Sequence, residues 1–123
     1  EYARWNSPIG MSPRRIAKPW KIRDVEFEPE ERVFLMFGAA NRDEKHFANA
    51  EAFDVRRDVS KSIAFGAGPH FCAGAWASRA MIADVALPTL FARLPKLRLA
   101  EAADARFVGW AFRGLQKLWV QWS

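Results

Sequence analysis

Short stretches in which apolar and polar residues alternate occupy the first part of the chain, and this alternation is typical of strands with one buried face. Two of them flank Arg23 and Asp24, a spacing that predicts a β-hairpin. Another contains Pro13, which lacks a backbone donor and therefore predicts an edge strand. The alternating stretches are residues 20–22 and 25–27, and further strands are predicted at residues 9–16 and 32–37. Residues 1–5 predict the last turn of a helix, because the residue before Pro8 avoids the helical region.

The pattern changes in the middle of the chain. Residues 41–62 are polar and lack a regular apolar period, which predicts a long meandering loop, and loops of this length are usually functional. Residues 75–94 have helical spacing with apolar residues on more than one face, which predicts one long and largely buried helix. Pro88 should either kink this helix or remove one backbone hydrogen bond from it. Further strands are predicted at residues 97–99, 107–112 and 118–122. The pattern as a whole predicts an α+β fold class.

The composition fits one globular unit, or part of one, of 123 residues. Half of the residues are hydrophobic and 27% are charged, which excludes an intrinsically disordered chain. No apolar run approaches the length of a transmembrane helix, so no membrane association is expected. The six Trp and ten Phe indicate a large aromatic core, a ring-shaped ligand, or contacts with other parts of a larger protein.

Charge and cysteine content narrow the function classes further. The net charge of +5 comes without a nucleic-acid-binding motif, so we expect a basic surface and no nucleic-acid partner. The single cysteine, Cys72, excludes an internal disulfide scaffold and is typical of the reducing cytoplasm, where we expect the protein to act.

Cys72 lies in a glycine-rich segment, residues 65–74, which has the form F-G-x-G-x-H-x-C-x-G and directly precedes the predicted helix. A helix N-terminus lowers the pKa of a thiol, and glycines leave room for a flat ligand, so this segment suits a bound thiolate. Two simpler interpretations are a small buried apolar side chain and half of a zinc site with His70. Zinc needs three or four ligands, and the only other histidine is His46.

At every fixed position the segment resembles the haem-ligating loop of the cytochrome P-450 superfamily. The resemblance implies haem b as the cofactor, with the Cys72 thiolate as the axial ligand of its iron. It also implies that His70 and Arg14, or Arg15 in a shifted register, bind the haem propionates, because a buried carboxylate needs a partner. Phe65 is expected near the iron–sulfur bond. The other cofactor-binding residues that the motif implies are Gly66, Gly68 and Gly74.

Residues 1–4 resemble the E-x-x-R motif of the same superfamily. A Glu and an Arg three residues apart are usually a weak surface pair. In the family, however, Glu1 and Arg4 would form a buried structural pair beneath the haem loop that holds the meander in place. An arginine in a P-x-R-F segment often completes this pair, but here residues 50–53 place Ala52 at the arginine position. Arg56 or Arg57 remains as a substitute.

Other stretches carry the resemblance through the rest of the chain. Residues 39–43 resemble the A-N-R-D sequence of soluble bacterial members, and residues 110–115 resemble the C-terminal β-hairpin whose tip reaches the substrate pocket. Residues 10–15 and 73–79 are similar to bacterial members that are fused to a reductase. The substrate-binding residues implied by the family are Ile9, Gly10, Met11, Ala111 and Phe112.

The resemblance therefore implies that residues 1–123 are the C-terminal portion of a single haem-thiolate domain of the mainly helical cytochrome P-450 fold, without its N-terminal part. The whole enzyme would insert one oxygen atom from O2 into a small organic substrate, with electrons that come from NAD(P)H. An acidic ferredoxin- or flavodoxin-type donor, or a fused reductase, would deliver them. Candidates for the donor-docking surface are the basic residues Arg56, Arg57, Lys61 and Arg79.

Two alternatives to a monooxygenase stay open at this point. The first is a peroxygenase or an isomerase on the same haem-thiolate fold. The second is a non-enzymatic α+β interaction module in which the cysteine motif occurs by chance. If the protein is a haem enzyme of any of these kinds, we expect the isolated chain to be inactive, because distal oxygen-activating residues are not recognisable in it.

Overall fold

The computed structural model of the protein describes residues 1–100 and 105–123. They form two compact units, which are described separately: Glu1–Ala64 with Gly109–Arg113, and Phe65–Val108 with Gly114–Ser123. Within the described ranges, no helix combines the length and the hydropathy that a membrane span requires.

The first unit opens with a short helix, α1 (Tyr2–Asn6). Ser7 ends this helix in the left-handed conformation, with φ of 44°, and its backbone N–H donates to the Ala3 oxygen at 3.0 Å. Pro8 follows and cannot continue the helical hydrogen bonds. The predicted helix end before Pro8 is therefore confirmed.

Two antiparallel strand pairs follow α1. The strands β1 (Ser12–Arg15) and β4 (Arg32–Leu35) pair from Ser12 opposite Leu35 to Arg15 opposite Arg32. Between them, β2 (Trp20–Ile22) and β3 (Val25–Phe27) form the predicted hairpin.

The predicted strand at residues 32–37 is too long, because Phe37 already begins the short helix α2 (Phe37–Ala40). Residues 41–62 then run without helix or strand, as predicted for the meander. The apolar side chains buried in this unit are few: Met11, Phe47 and Ala50. Four polar residues are buried with them: Arg4, Asn6, Ser7 and Asn41.

The segment Gly109–Arg113 belongs to the first unit and pairs with the stretch that follows α1. The backbone N–H of Gly10 donates to the Ala111 oxygen at 2.8 Å, and Ile9 forms an isolated antiparallel bridge with Phe112. Gly10 is required at this close approach, because a Cβ there would collide with the Trp110 carbonyl oxygen. The backbone of residues 8–10 and 111–113 is thereby held side by side.

The second unit contains the cysteine segment and a helical run in three parts: α3 (Ala75–Arg79), a π-helical stretch (Ala80–Ala86) and α4 (Leu87–Arg93). The π-helical stretch ends just before Pro88, whose ring would clash with the carbonyl four residues earlier in a regular α-helix. A wider helical turn therefore precedes the proline, and the helical run continues through it to Arg93.

The prediction that the helix at residues 75–94 is buried is wrong for this chain. Ala75 is its only buried residue, whereas Trp76 is 75% and Val85 60% exposed. Apolar residues on more than one face indicate a helix that packs on several sides. The part of the chain that the structure describes offers no such packing.

The C-terminal strands of the second unit are shorter than predicted. The strand β5 (Arg98–Leu99) pairs with β8 (Val120–Gln121), and β6 (Phe107–Val108) pairs with β7 (Gly114–Leu115). The predicted strand at residues 107–112 ends at Val108, because Gly109 turns the chain with φ of 84°. The strands β6 and β7 form the C-terminal hairpin expected from the resemblance.

Candidate functional site

The cysteine segment folds into a closed loop directly before the helical run. The backbone N–H of Cys72 donates to the Phe65 oxygen at 2.9 Å, which closes the loop, and the N–H of Ala75 donates to the Cys72 oxygen at 3.1 Å. A 3₁₀ turn (Gly68–His70) lies inside it. Cys72 is exposed and free, so its thiol faces outward at the start of a helix.

The glycines of this loop differ in what they contribute. Gly66 and Gly68 have positive φ of 73° and 64°, a conformation that side chains rarely adopt. Gly74 instead has φ of −84°, a conformation that other residues also adopt. A Cβ at Gly68 would meet no atom within 4 Å, which leaves open space on that side of the loop.

The donor set fits a haem iron better than a free metal ion. Across residues 1–100 and 105–123 there is no group of three or more His, Cys, Asp or Glu side chains that could hold a metal. A single exposed thiol suits an iron that brings the nitrogen ligands of its own macrocycle and needs one axial protein ligand. The open, glycine-lined loop leaves room for such a flat group.

Phe65 and Arg79 meet on the flank of the loop. The Arg79 guanidinium carbon lies 4.4 Å from the centroid of the Phe65 ring and 5.5 Å from that of Trp76. Phe65 is half-buried and Trp76 is exposed. This cation–π contact joins the first residue of the cysteine loop to the end of α3.

The predicted propionate ligands have no described carboxylate partner. His70 is exposed in the second unit, and Arg14 is half-buried on β1 of the first unit. Arg14 donates to Ser12 Oγ at 2.7 Å and to the Pro13 oxygen at 2.8 Å. Arg15 instead forms an exposed ion pair with Glu30 at 2.9 Å. Of the two arginines, Arg14 is therefore the one whose charge is not already paired with a carboxylate among the described residues.

Arg4 and Glu1 form a buried bidentate pair. Arg4 Nε and Nη2 donate to the two carboxylate oxygens of Glu1 at 2.8 and 2.7 Å. Arg4 also donates to three backbone oxygens of the meander: those of Asn41 at 2.7 Å, Ala50 at 2.9 Å and Ala52 at 3.2 Å. All five N–H groups of the guanidinium are thus used, two on the carboxylate and three on the meander.

Arg57 completes this network. Its Nε donates to Glu1 Oε1 at 3.3 Å, and its Nη atoms donate to the backbone oxygens of Ala48, Asn49 and Ala52. The absence of an arginine at position 52 therefore leaves the triad intact, because Arg57 reaches Glu1 from further along the meander. The Arg56 side chain makes no such contact within the described residues and is exposed.

The charge of Glu1 is strongly favoured in this setting. The hydrogen bond from Arg4 is the main cause that lowers the pKa of Glu1 from 4.5 to about 2, and burial opposes it. The backbone N–H of Asp54 adds a further hydrogen bond at 3.0 Å. In turn, the Glu1 carboxylate raises the pKa of Arg4. The Glu1–Arg4 pair is therefore ionised at neutral pH.

Asn41 has a structural role that the sequence did not single out. Its side chain is fully buried; Nδ2 donates to Ser7 Oγ at 3.0 Å, and Oδ1 accepts from Ser62 Oγ and from the Ile63 N–H at 2.9 Å. Asn41 thereby ties the end of α1 to the residues that lead into the cysteine loop. The resemblance of residues 39–43 to the A-N-R-D sequence was the available signal, but it did not indicate what Asn41 does.

The predicted substrate-binding residues divide into two groups. Met11 and Gly10 are buried within the first unit, whereas Ile9 is 44% and Phe112 is 77% exposed. The Ile9–Phe112 bridge brings these two exposed apolar residues together, and Ala111 contributes its backbone oxygen to the same pairing. The segments 8–10 and 111–113 are therefore neighbours in the first unit.

Comparison with known proteins places this geometry in a family. The family model for cytochrome P450 matches residues 1–93. Cytochrome P450 107B1 of Saccharopolyspora erythraea is 37% identical over 98% of this chain and 30% of that protein. The epothilone C/D epoxidase of Sorangium cellulosum is 41% identical over 96% of this chain and 28% of that protein.

The solved structures agree with the sequence relatives. CYP109E1 from Bacillus megaterium, determined in complex with testosterone, matches 98% of this chain and 34% of its own chain with a TM-score of 0.89 and 26% identity. The chain spans about 30% of the length of the first curated relative. The match along nearly the whole chain, together with the loop around Cys72 and the Glu1–Arg4–Arg57 network, shows that this chain belongs to the cytochrome P450 family.

Proposed function

We propose that residues 1–123 form the haem-binding C-terminal part of a cytochrome P450 monooxygenase domain, with the Cys72 thiolate as the proximal ligand of the iron. The family implies the haem cofactor. The observation that carries the proposal is the exposed Cys72 thiol in a closed loop at the start of a helix. With such a thiolate ligand, a bound haem supplies the activation of O2 that inserts one oxygen atom into an organic substrate.

The residues of the chain would act around this group in separate ways. Cys72 would hold the iron through its sulfur, which lies exposed just before α3. The positive φ of Gly66 and Gly68 shapes the loop so that no side chain blocks the approach of a flat ring. The Glu1–Arg4–Arg57 network fixes the meander that precedes the loop and makes no contact with reacting atoms.

Replacement of the ligand tests the proposal. In the full-length protein that carries this chain, the reduced carbon monoxide complex should show the red-shifted Soret band of thiolate ligation. Cys72→Ser should abolish the band, whereas Ser78→Ala, a nearby change on α3, should retain it. A Cys72→Ser protein that keeps the band would refute the assignment.

We propose that His70 and Arg14 bind the haem propionates. The support is that neither residue has a carboxylate partner among the described residues, while Arg15 already pairs with Glu30. Each charged hydrogen bond contributes about 1.5–3 kcal/mol, so His70→Ala and Arg14→Ala should each speed haem transfer to an apoprotein acceptor by tenfold or more. Arg15→Ala is the matched control and should leave the rate unchanged. Equal rates in all three variants would contradict this role.

We propose that the substrate is a small, largely apolar organic molecule that contacts Ile9 and Phe112. Both side chains are exposed and paired in the first unit, and related proteins are named as an epothilone epoxidase or solved with testosterone. Phe112→Ala should change the product distribution with a candidate substrate while the thiolate spectrum stays intact. Product formation from hydrogen peroxide alone, or without any oxidant, would instead identify a peroxygenase or an isomerase.

We propose that electrons come from NAD(P)H through an acidic ferredoxin- or flavodoxin-type donor in the cytoplasm, which docks on Arg56, Lys61 and Arg79. These three residues are exposed, whereas Arg57 is committed to Glu1 and the meander. Reduction by a separate donor should slow as ionic strength rises, and Lys61→Glu should slow it further without a change in substrate binding. Reduction that is independent of salt would indicate a fused reductase instead.

A further inference from the structure

Among the described residues, Arg79 contacts two aromatic rings and forms no ion pair with a carboxylate. Its guanidinium carbon lies 4.4 Å from the Phe65 centroid and 5.5 Å from the Trp76 centroid. Arg79 is in none of the ion pairs found among the described residues. The basic residues that do form them are Arg4, Arg15, Lys21, Arg42 and Arg57. The aromatic faces hold the guanidinium in place but leave its charge uncompensated.

This charge is connected to the cysteine loop in two ways. Phe65 lies under the guanidinium, and its backbone oxygen accepts the N–H of Cys72 at 2.9 Å. Arg79 also lies on α3, the first part of the helical run that begins three residues after Cys72. Two separate links, one through Phe65 and one through α3, therefore keep the positive charge on the flank of the loop.

We infer that Arg79 is a positioning residue whose fixed positive charge, stacked on Phe65, raises the reduction potential of the thiolate-bound iron. The inference rests on the proposed function of Cys72. Reduction adds one electron from an external donor to the iron and moves no proton at Arg79, which stays charged throughout. A nearby positive charge stabilises the more negative, reduced site, and the half-buried Phe65 ring shields part of this interaction from water.

The test separates the charge from the stack in the full-length haem protein. Arg79→Gln removes the charge, whereas Arg79→Lys keeps it. Arg93→Gln is the matched control, because Arg93 is an exposed arginine near the end of the same helical run and has no aromatic ring in a described contact. The readout is the midpoint potential of the haem, measured by spectroelectrochemical titration, with the reduced carbon monoxide spectrum recorded for every variant.

Arg79→Gln should lower the potential, so that the ratio of ferrous to ferric haem at a fixed poise falls several-fold. Arg79→Lys should stay close to the unmodified protein, and Arg93→Gln should not differ from it. The shift should shrink in high salt, because solvent-exposed charge is screened. All variants should keep the thiolate Soret band.

Two results would overturn the inference alone: equal potentials for Arg79→Gln and Arg93→Gln, or a fall with Arg79→Lys as large as that with Arg79→Gln. In both cases the thiolate band would remain, so the role of Cys72 would stand. If the unmodified protein lacks the thiolate band, the proposed function fails first and the inference falls with it.

Discussion

Arg4 shows how much one buried side chain organises. Its guanidinium donates to both oxygens of Glu1 and to three carbonyl oxygens of the meander, and it lies 5.2 Å from the Phe47 ring centroid. Arginine is the only natural side chain that can make all of these hydrogen bonds, because its guanidinium is planar and has five donors. Position 4 therefore requires the donor geometry of arginine as much as its positive charge.

We expect Arg4→Lys to be nearly as harmful as Arg4→Ala. A lysine keeps the charge but offers three donors from one atom, so it cannot reach Glu1 and the carbonyls of Asn41 and Ala50 together. Either change should cost about 3–5 kcal/mol of unfolding free energy, because it leaves buried groups without partners. The measurement is denaturant unfolding of the full-length haem protein. Near-normal stability of Arg4→Lys would show that charge alone suffices.

Glu1 makes the stability of this network depend on pH. Its pKa is lowered from 4.5 to about 2, chiefly by the hydrogen bond from Arg4, so the folded state favours the carboxylate. The stabilisation is present above the unfolded pKa of 4.5 and is lost as the pH falls towards 2. A shift of this size corresponds to about 3 kcal/mol.

The unfolding free energies of the unmodified protein and of Glu1→Gln should therefore converge in acid. The gap between them should be widest at neutral pH and should narrow as the pH falls from 4.5 towards 2. Equilibrium unfolding of both proteins across this range measures the gap. A gap that does not change with pH would mean that Glu1 contributes through its shape and not through its charge.

The meander is an element without regular secondary structure, and side chains replace the missing backbone ladder. Arg4 and Arg57 donate to the carbonyl oxygens of residues 41, 48, 49, 50 and 52. Arg42 adds further contacts to the same segment. Its guanidinium carbon lies 4.6 Å from the Trp5 ring centroid, and its side chain donates to the Trp5 backbone oxygen and forms an ion pair with Glu51. Arginine side chains thus hold this segment at several points.

Arg57→Ala should loosen the meander, whereas Arg56→Ala should not. The two arginines are neighbours, but only Arg57 contacts Glu1 and the meander carbonyls. The loss of these bonds should cost about 2 kcal/mol and speed amide hydrogen exchange in residues 48–54. Exchange followed by mass spectrometry on both full-length variants gives the comparison. Equal protection in the two would contradict the assignment of Arg57 as third partner.

At the scale of the whole molecule, the second unit has little core of its own. Ala75 is the only apolar residue buried there within the described ranges, while Trp76, Met81, Ile82 and Phe91 are more than half exposed. A chain with so little apolar burial has little to set against its conformational entropy. The helical run is exposed, and the chain spans about 30% of the length of the P450 107B1 relative.

We therefore expect residues 1–123 alone to bind haem weakly and to oxidise no substrate. In the proposed site the loop would supply one face for the haem, and the exposed Cys72 sulfur is open to oxidation. Expression of the chain with haem, followed by absorption and near-ultraviolet circular dichroism spectra, tests this. A stable one-to-one thiolate-haem complex that turns over substrate would show that the chain suffices by itself.

The sequence by itself determined the features that depend on neighbouring residues. The β2–β3 hairpin, the end of α1 before Pro8, the helical run from Ala75 and the glycine loop around Cys72 all follow from local turn chemistry and hydrophobic spacing. The cysteine motif was also sufficient to indicate the family, because all of its fixed positions lie within ten residues and serve one chemical purpose.

The tertiary structure alone decided which distant residues meet. Arg57 and Glu1 lie 56 positions apart, and Arg4 reaches Asn41 across 37 positions, distances at which no local pattern indicates the partner. The burial of Asn41, the exposure of the helical run and the stacking of Arg79 on Phe65 likewise depend on how segments pack. Hydrophobic periodicity reports which face of an element is apolar, but only packing decides what covers that face.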